Sequence, residues 1–238
     1  MREDKPHGAS LTHLATISGR LTEHDWAWAR DNAEAIDRHW QRRVAERPGM
    51  FDGPVLLSLD CAIAGDTCEV TFFETRYSRF IATRDWDSPE TGVLNAFSAI
   101  VPCTSDGAVL LGQMGAHTAN AGQVYFACGT PDRDDIREGG IVDLAGSAAR
   151  EFEEETGLTL PEGAHDAPWV LVRVGDLLAF LRPVHFDASA EDLVRRIAAY
   201  HADDDEPELA QMVIVRRLSD LDPERMPVYV RAYLETLF

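Results

Sequence analysis

The stretch from Asp143 to Leu158 constrains this chain more than any other. Asp143 suits a helix N-cap, and Gly157 suits the left-handed residue that closes a helix C-terminus, so the residues between them predict one helix over 144–156. Leu144, Ala148 and Phe152 recur at helical spacing and form an apolar stripe able to dock on a sheet. Glu151, Glu154 and Glu155 stand at i, i+3 and i+4, which puts their carboxylates on one face. Such clustering costs about 0.2–0.5 kcal/mol per exposed like-charge pair, and more where the pair is buried. A bound divalent cation reverses that penalty, and magnesium or manganese is the natural choice because hard ions favour carboxylate oxygen. The plain alternative is a solvated, Glu-rich surface.

Patterning on either side sets the fold class. Trp26, Ala29, Ala33, Ile36, Trp40 and Val44 predict a helix over 22–47 with Thr22 as N-cap and Pro48-Gly49 as its end. Strands are predicted over 55–64 and 68–73, joined by a Gly65-Asp66 turn, then over 97–103, 108–112 and 123–128. Further strands are predicted over 169–174, 177–181 and 211–216, with helices over 191–201 and 228–237. This succession predicts an α/β fold in which a mixed sheet is sandwiched by helices. The Asp, Ser, Pro and Gly of 85–92 mark a junction, dividing the chain into an N-terminal helix and hairpin region (1–90) and a larger domain (91–238).

Composition excludes several functions. A net charge of -19 over 238 residues argues against nucleic acid or an anionic membrane as partner, since both are recognised by basic surface. No segment approaches the roughly 20 apolar residues needed to span a bilayer, and 1–20 has no signal-like apolar core, so a cytoplasmic location is expected. With Lys5 the only lysine, arginines must supply the basic contacts. Arg76, Arg79 and Arg84 are candidate phosphate contacts because guanidinium pairs bidentately with phosphate oxygens, and Tyr77 is a candidate platform for a base. Cys61, Cys68, Cys103 and Cys128 have neither disulfide-framework nor zinc-ligand spacing and are read as reduced thiols.

The nine residues Arg150-Glu151-Phe152-Glu153-Glu154-Glu155-Thr156-Gly157-Leu158 resemble the second half of the Nudix box, with every specified position filled. The first half departs: where the pattern asks for glutamate and glycine, this chain has Val142 and Ile136. Gly129-Thr130-Pro131-Asp132 is read as the loop that opens the box, with an insertion over 134–140. The resemblance implies a Nudix-type α/β/α sandwich and a diphosphatase using Mg2+ or Mn2+. It implies metal ligation by Glu151, Glu154, Glu155 and the Gly129 carbonyl, with Arg150 orienting a carboxylate, Gly157 closing the helix and Asp143 standing in part for the missing glutamate. Glu208 and its neighbour Glu206 are candidates for general base or further ligand.

The segments His39-Trp40, 47–53 and 75–83 more loosely resemble the N-terminal part of the UDP-sugar diphosphatase branch. That resemblance implies a small-molecule nucleoside diphosphate derivative as substrate, foremost a nucleotide sugar, cleaved to a nucleoside monophosphate and a sugar phosphate. ADP-ribose or coenzyme A cleavage is the runner-up, and a ligand-sensing module without turnover is the alternative outside catalysis. The family often dimerises, which makes the N-terminal region a candidate homodimer surface.

Overall fold

The computed structural model describes residues 8–86 and 91–238. Its strands are β1 (Ala9–Leu14), β2 (Thr16–Leu21), β3 (Pro54–Ala64), β4 (Thr67–Arg76), β5 (Asn95–Thr104), β6 (Val109–Met114), β7 (Val124–Tyr125), β8 (Ile136–Arg137), β9 (Ile141–Val142), β10 (Trp169–Val174), β11 (Leu177–Phe186) and β12 (Leu209–Val215). Its helices are α1 (Ala27–Asp31), α2 (Ala33–Glu46), α3 (Tyr77–Asp85), α4 (Leu144–Thr156), α5 (Ala190–Tyr200) and α6 (Val228–Leu234). The class is α/β, as expected. Lys5 and residues 87–90, within the expected 85–92 junction, lie outside the described residues. None of the described helices is long and apolar enough to cross a membrane.

The chain forms two compact units that interleave in sequence. The first comprises Met1–Thr16, Phe97–Gly129 and Ala145–Phe238; the second comprises Ile17–Ala96 and Thr130–Leu144.

The first unit is built on a seven-stranded sheet in the order β1-β10-β11-β5-β6-β12, with β7 paired to β6. The β10–β11 ladder is antiparallel, and so is β6–β12. β5 and β11 finish side by side, since the Ser105 amide just past β5 donates to the Ala188 carbonyl just past β11 (3.0 Å), so these two run the same way and the sheet is mixed. Strand side chains alternate between faces, and here both faces are dry. Ala179, Leu181, Val170 and Val172 join Tyr229, Val230 and Tyr233 of α6 in one apolar cluster. Phe180, Val184 and Phe186 fall on the opposite face, where Phe186 meets Phe152 of α4 at a ring distance of 5.7 Å. Helices therefore cover both faces, which is why β5 and β11 read as nearly continuous apolar runs.

The second unit carries a five-stranded sheet in the order β3-β4-β2-β9-β8. Its core gathers Trp26, Ile36, Leu57, Phe73 and Phe80, and the Trp26 indole donates to the Thr91 carbonyl (2.8 Å). Gly19 is required where β2 meets β9, because a Cβ there would stand 2.7 Å from the Val142 carbonyl oxygen.

Two local expectations are corrected. The helix predicted from Thr22 starts at Ala27 and is interrupted at Asn32; Thr22 instead donates its amide to Phe72 (2.8 Å) and prolongs sheet pairing. The strand predicted over 123–128 is reduced to Val124–Tyr125. The insertion over 134–140 is ordered, because β8 pairs with β9 and β9 with β2, with Gly139 and Gly140 supplying the positive φ the tight connection needs. β1 and β2 were not foreseen; β1 is an edge strand in which Ser10, Leu11 and Thr12 are all half-buried, so its alternation is weak.

Candidate active site

Helix α4 spans 144–156, the bounds its two terminal signals predict. Its buried stripe runs through Leu144, Ala148 and Phe152 and continues to Glu155, three residues after Phe152. Glu155 is therefore 5% exposed, a carboxylate at the edge of an apolar seam. Glu151, one turn earlier, is half-buried, and Glu154 is exposed. Arg150 Nη1 lies 2.7 Å from a Glu151 oxygen and 3.2 Å from a Glu154 oxygen, so one guanidinium aligns two of the three glutamates.

The end of α4 is tightly held. Gly157 has φ of 67° and returns its amide to the Glu153 carbonyl (2.8 Å). Thr156 Oγ1 donates to Phe152, Tyr200 OH donates to Glu154 (3.3 Å), and His201 Nε2 donates to the Glu155 carbonyl (2.9 Å). The carbonyls of Glu153, Glu154 and Glu155, which lie beyond the reach of the helix's own amides, thus each find a partner.

Glu151, Glu154 and Glu155 open into a cavity of about 560 Å³ lined also by His117, Tyr200, His201, Asp203, Asp204, Glu206 and Glu208. The acidic run 203–208 thus lines the cavity together with the α4 glutamates. Its position is fixed by β12, which begins at Leu209, and by the Gly115 amide donating to the Glu208 carbonyl (2.8 Å). Gly129 approaches from beneath: a Cβ on it would lie 2.6 Å from the Glu151 carboxyl carbon, so only glycine admits that carboxylate.

Burial, aided by repulsion from Glu208 and Glu151, pushes the Glu155 carboxyl up to about 9 even though the Cys128 amide donates to it. Burial likewise raises Glu151 to about 7, against the pull of Arg150. Below lies a dry floor in which Tyr229 donates to the Cys128 thiol, and burial raises both groups well above their ordinary values.

Among the described residues no three or more His, Cys, Asp or Glu side chains are drawn together as a ready metal cluster. The fit to a divalent cation rests instead on a buried oxygen: Glu155 Oε2 has no hydrogen-bond partner. An acceptor held dry and unpaired costs about 1–3 kcal/mol, more if charged, and a hard cation satisfies it with the ligand type it prefers.

The other expected contacts belong to the second unit. Arg76 pairs with Asp52 (3.2 Å), and Tyr77 packs edge-on against Trp40 and beside Phe80. Arg79 and Arg84 belong to α3 of the second unit; none of the four residues is in the cavity lining. Asp143 also belongs to the second unit, with its carboxylate 3.2 Å from Arg137 Nε. Tyr200, His201, Asp203 and Asp204 were not anticipated as site residues. Their only sequence signal is position, at the end of one predicted helix and in the acidic run before a strand.

No family model and no curated protein matches this sequence. Among solved structures, a MutT protein from Methanosarcina mazei Go1 is similar with a TM-score of 0.36 and 17% identity, over 60% of this chain and 95% of that one. A likeness of that size transfers no function from one protein to the other.

Proposed function

We propose that this protein is a Nudix-type hydrolase that cleaves the phosphoanhydride of a nucleoside diphosphate joined to a second moiety. The observation that carries the reading is the unpartnered, buried oxygen of Glu155, set among Glu151, Glu154 and Glu208 at the wall of a cavity large enough for a nucleotide. A site so acidic repels a bare diphosphate and accepts one only with cations between. Glu151, Glu154, Glu155 and the Gly129 carbonyl are the groups that would hold Mg2+ or Mn2+. When bound, such an ion neutralises phosphate charge and lowers the pKa of its water.

The remaining work falls to the chain. Arg150 keeps Glu151 oriented toward the ion. We assign to Glu208, exposed in the cavity lining just ahead of β12, the role of accepting the proton of an attacking water. Buried Tyr125, close enough to Glu155 and Glu208 to feel their charge, helps keep that side of the site dry. A nucleotide sugar is the substrate that the resemblance of the N-terminal segments favours, with a nucleoside monophosphate and a sugar phosphate as products.

Phosphate release, coupled to a phosphatase, from UDP-sugars, ADP-ribose, dinucleoside polyphosphates and coenzyme A tests the proposal with magnesium and then with EDTA. Turnover is expected with magnesium only, falling by about 100-fold or more in Glu155→Gln and Glu154→Gln while far-UV circular dichroism is unchanged. Metal-independent turnover, or near-normal rates in both variants, overturns it. Binding of a panel member without any turnover supports a sensing module instead.

A further inference from the structure

Cys61 and Cys68 sit seven positions apart, a spacing that signals neither a redox motif nor a metal site by itself. The β3–β4 hairpin brings them together. Its antiparallel register places Cys61 opposite Val70 and Ile63 opposite Cys68. Val70 and Cys68 are two residues apart on one strand, so Cys61 and Cys68 share a face as diagonal neighbours. Their Sγ atoms are 3.1 Å apart, about 1 Å more than the ~2.05 Å of a disulfide bond.

The two thiols differ in access. Cys68 is fully buried, whereas Cys61 is only half-buried and adjoins the exposed end of the hairpin, residues 62–67. Its contact with Cys61, together with burial, holds the Cys68 thiol well above its ordinary range, and Cys61 is the sulfur that meets solvent. The other thiols are engaged differently: Cys103 donates to the Val101 carbonyl (3.6 Å), and Cys128 accepts from Tyr229.

We propose that Cys61 and Cys68 form a peroxide-oxidisable dithiol that closes reversibly into a disulfide across the hairpin. The Cys61 thiolate attacks hydrogen peroxide, breaking the O–O bond to give a sulfenic acid and hydroxide. The Cys68 sulfur then displaces the sulfenic oxygen, which leaves as water with the Cys68 proton. Overall, two thiols and one peroxide become one disulfide and two waters, and an external dithiol reverses the change. The site lies within the second unit and is independent of the hydrolase reading.

The test uses the full-length reduced protein, treated with stoichiometric hydrogen peroxide, then quenched, denatured and alkylated. Two of the four cysteines are expected to become unreactive, the intact mass to fall by about 2 Da, and one cross-linked peptide pair to contain Cys61 and Cys68, all reversed by dithiothreitol. In Cys68→Ser, Cys61 is expected to stop at the sulfenic acid and to be trapped by dimedone; in Cys61→Ser, no mass loss is expected. The wild-type peptide map decides the matter even if Cys68→Ser fails to fold. Four thiols still reactive after peroxide, or a bridge that includes Cys103 or Cys128, overturns the proposal.

Discussion

At the scale of single residues, the site turns on one misfit between side chain and surroundings. Glu155 occupies a helix position that packing would give to an apolar residue, and the strain appears as its raised pKa and unpaired oxygen. Its neighbour Glu151 fits only because residue 129 lacks a side chain. Gly129→Ala is therefore expected to displace the Glu151 carboxylate and weaken magnesium-dependent turnover by roughly 10–100-fold with little loss of stability, as changes just outside a metal's ligands do. Steady-state rates over a magnesium titration check this; an unchanged magnesium dependence refutes it. The spacing of Glu151, Glu154 and Glu155 was legible because i, i+3 and i+4 is a property of the helix alone. Which of the three is buried was not.

At the scale of elements, α4 was legible at both ends because its signals are local: an N-cap residue at one end and a positive-φ glycine at the other. The helix predicted over 22–47 failed at its start, where Trp26 must enter the second unit's core and Thr22 serves a sheet instead. Gly157 illustrates how strongly the end of α4 is determined. A Cβ there would meet the Tyr200 ring at 2.3 Å, on a backbone already at φ of 67°. Gly157→Ala is expected to destabilise the protein by roughly 1–3 kcal/mol through left-handed strain plus the clash. It is also expected to loosen Tyr200 and His201 from the helix end. Urea unfolding measures the first effect, and a midpoint equal to wild type would rule out this account of the cap.

At the scale of the whole molecule, the raised carboxylates link stability to pH, and on the proposed function also to cations. The folded-state values of Glu155 (about 9) and Glu151 (about 7) exceed the ordinary 4.5. Groups raised in this way favour the fold while protonated. Their contribution is complete below about pH 4.5 and is lost as pH rises through 7 and then 9. In EDTA, the melting temperature is expected to fall between about pH 5 and pH 9. Magnesium is expected to restore it more at pH 8 than at pH 5.5, by about 2.7 kcal/mol at a hundredfold excess over Kd. Glu155→Gln should flatten the pH trend and shrink the magnesium effect, which separates this site from general repulsion in a chain of net charge -19. Scanning calorimetry decides; a wild-type pH profile matching that of the variant would remove Glu155 from the linkage.

The sequence by itself determined what repeats along one element, namely the α4 face, its two ends and the paired apolar strands, together with the acidic balance of the chain. Tertiary structure alone decided what depends on neighbours distant in the chain. It set Glu208 and the 203–208 run along the same cavity as α4, closed that helix with Tyr200 and His201, made the 134–140 insertion part of a sheet and brought Cys61 to Cys68. The reason is physical. Periodicity is written into successive backbone angles, whereas burial, and with it pKa and thiol pairing, is fixed only when remote segments exclude water from the same place.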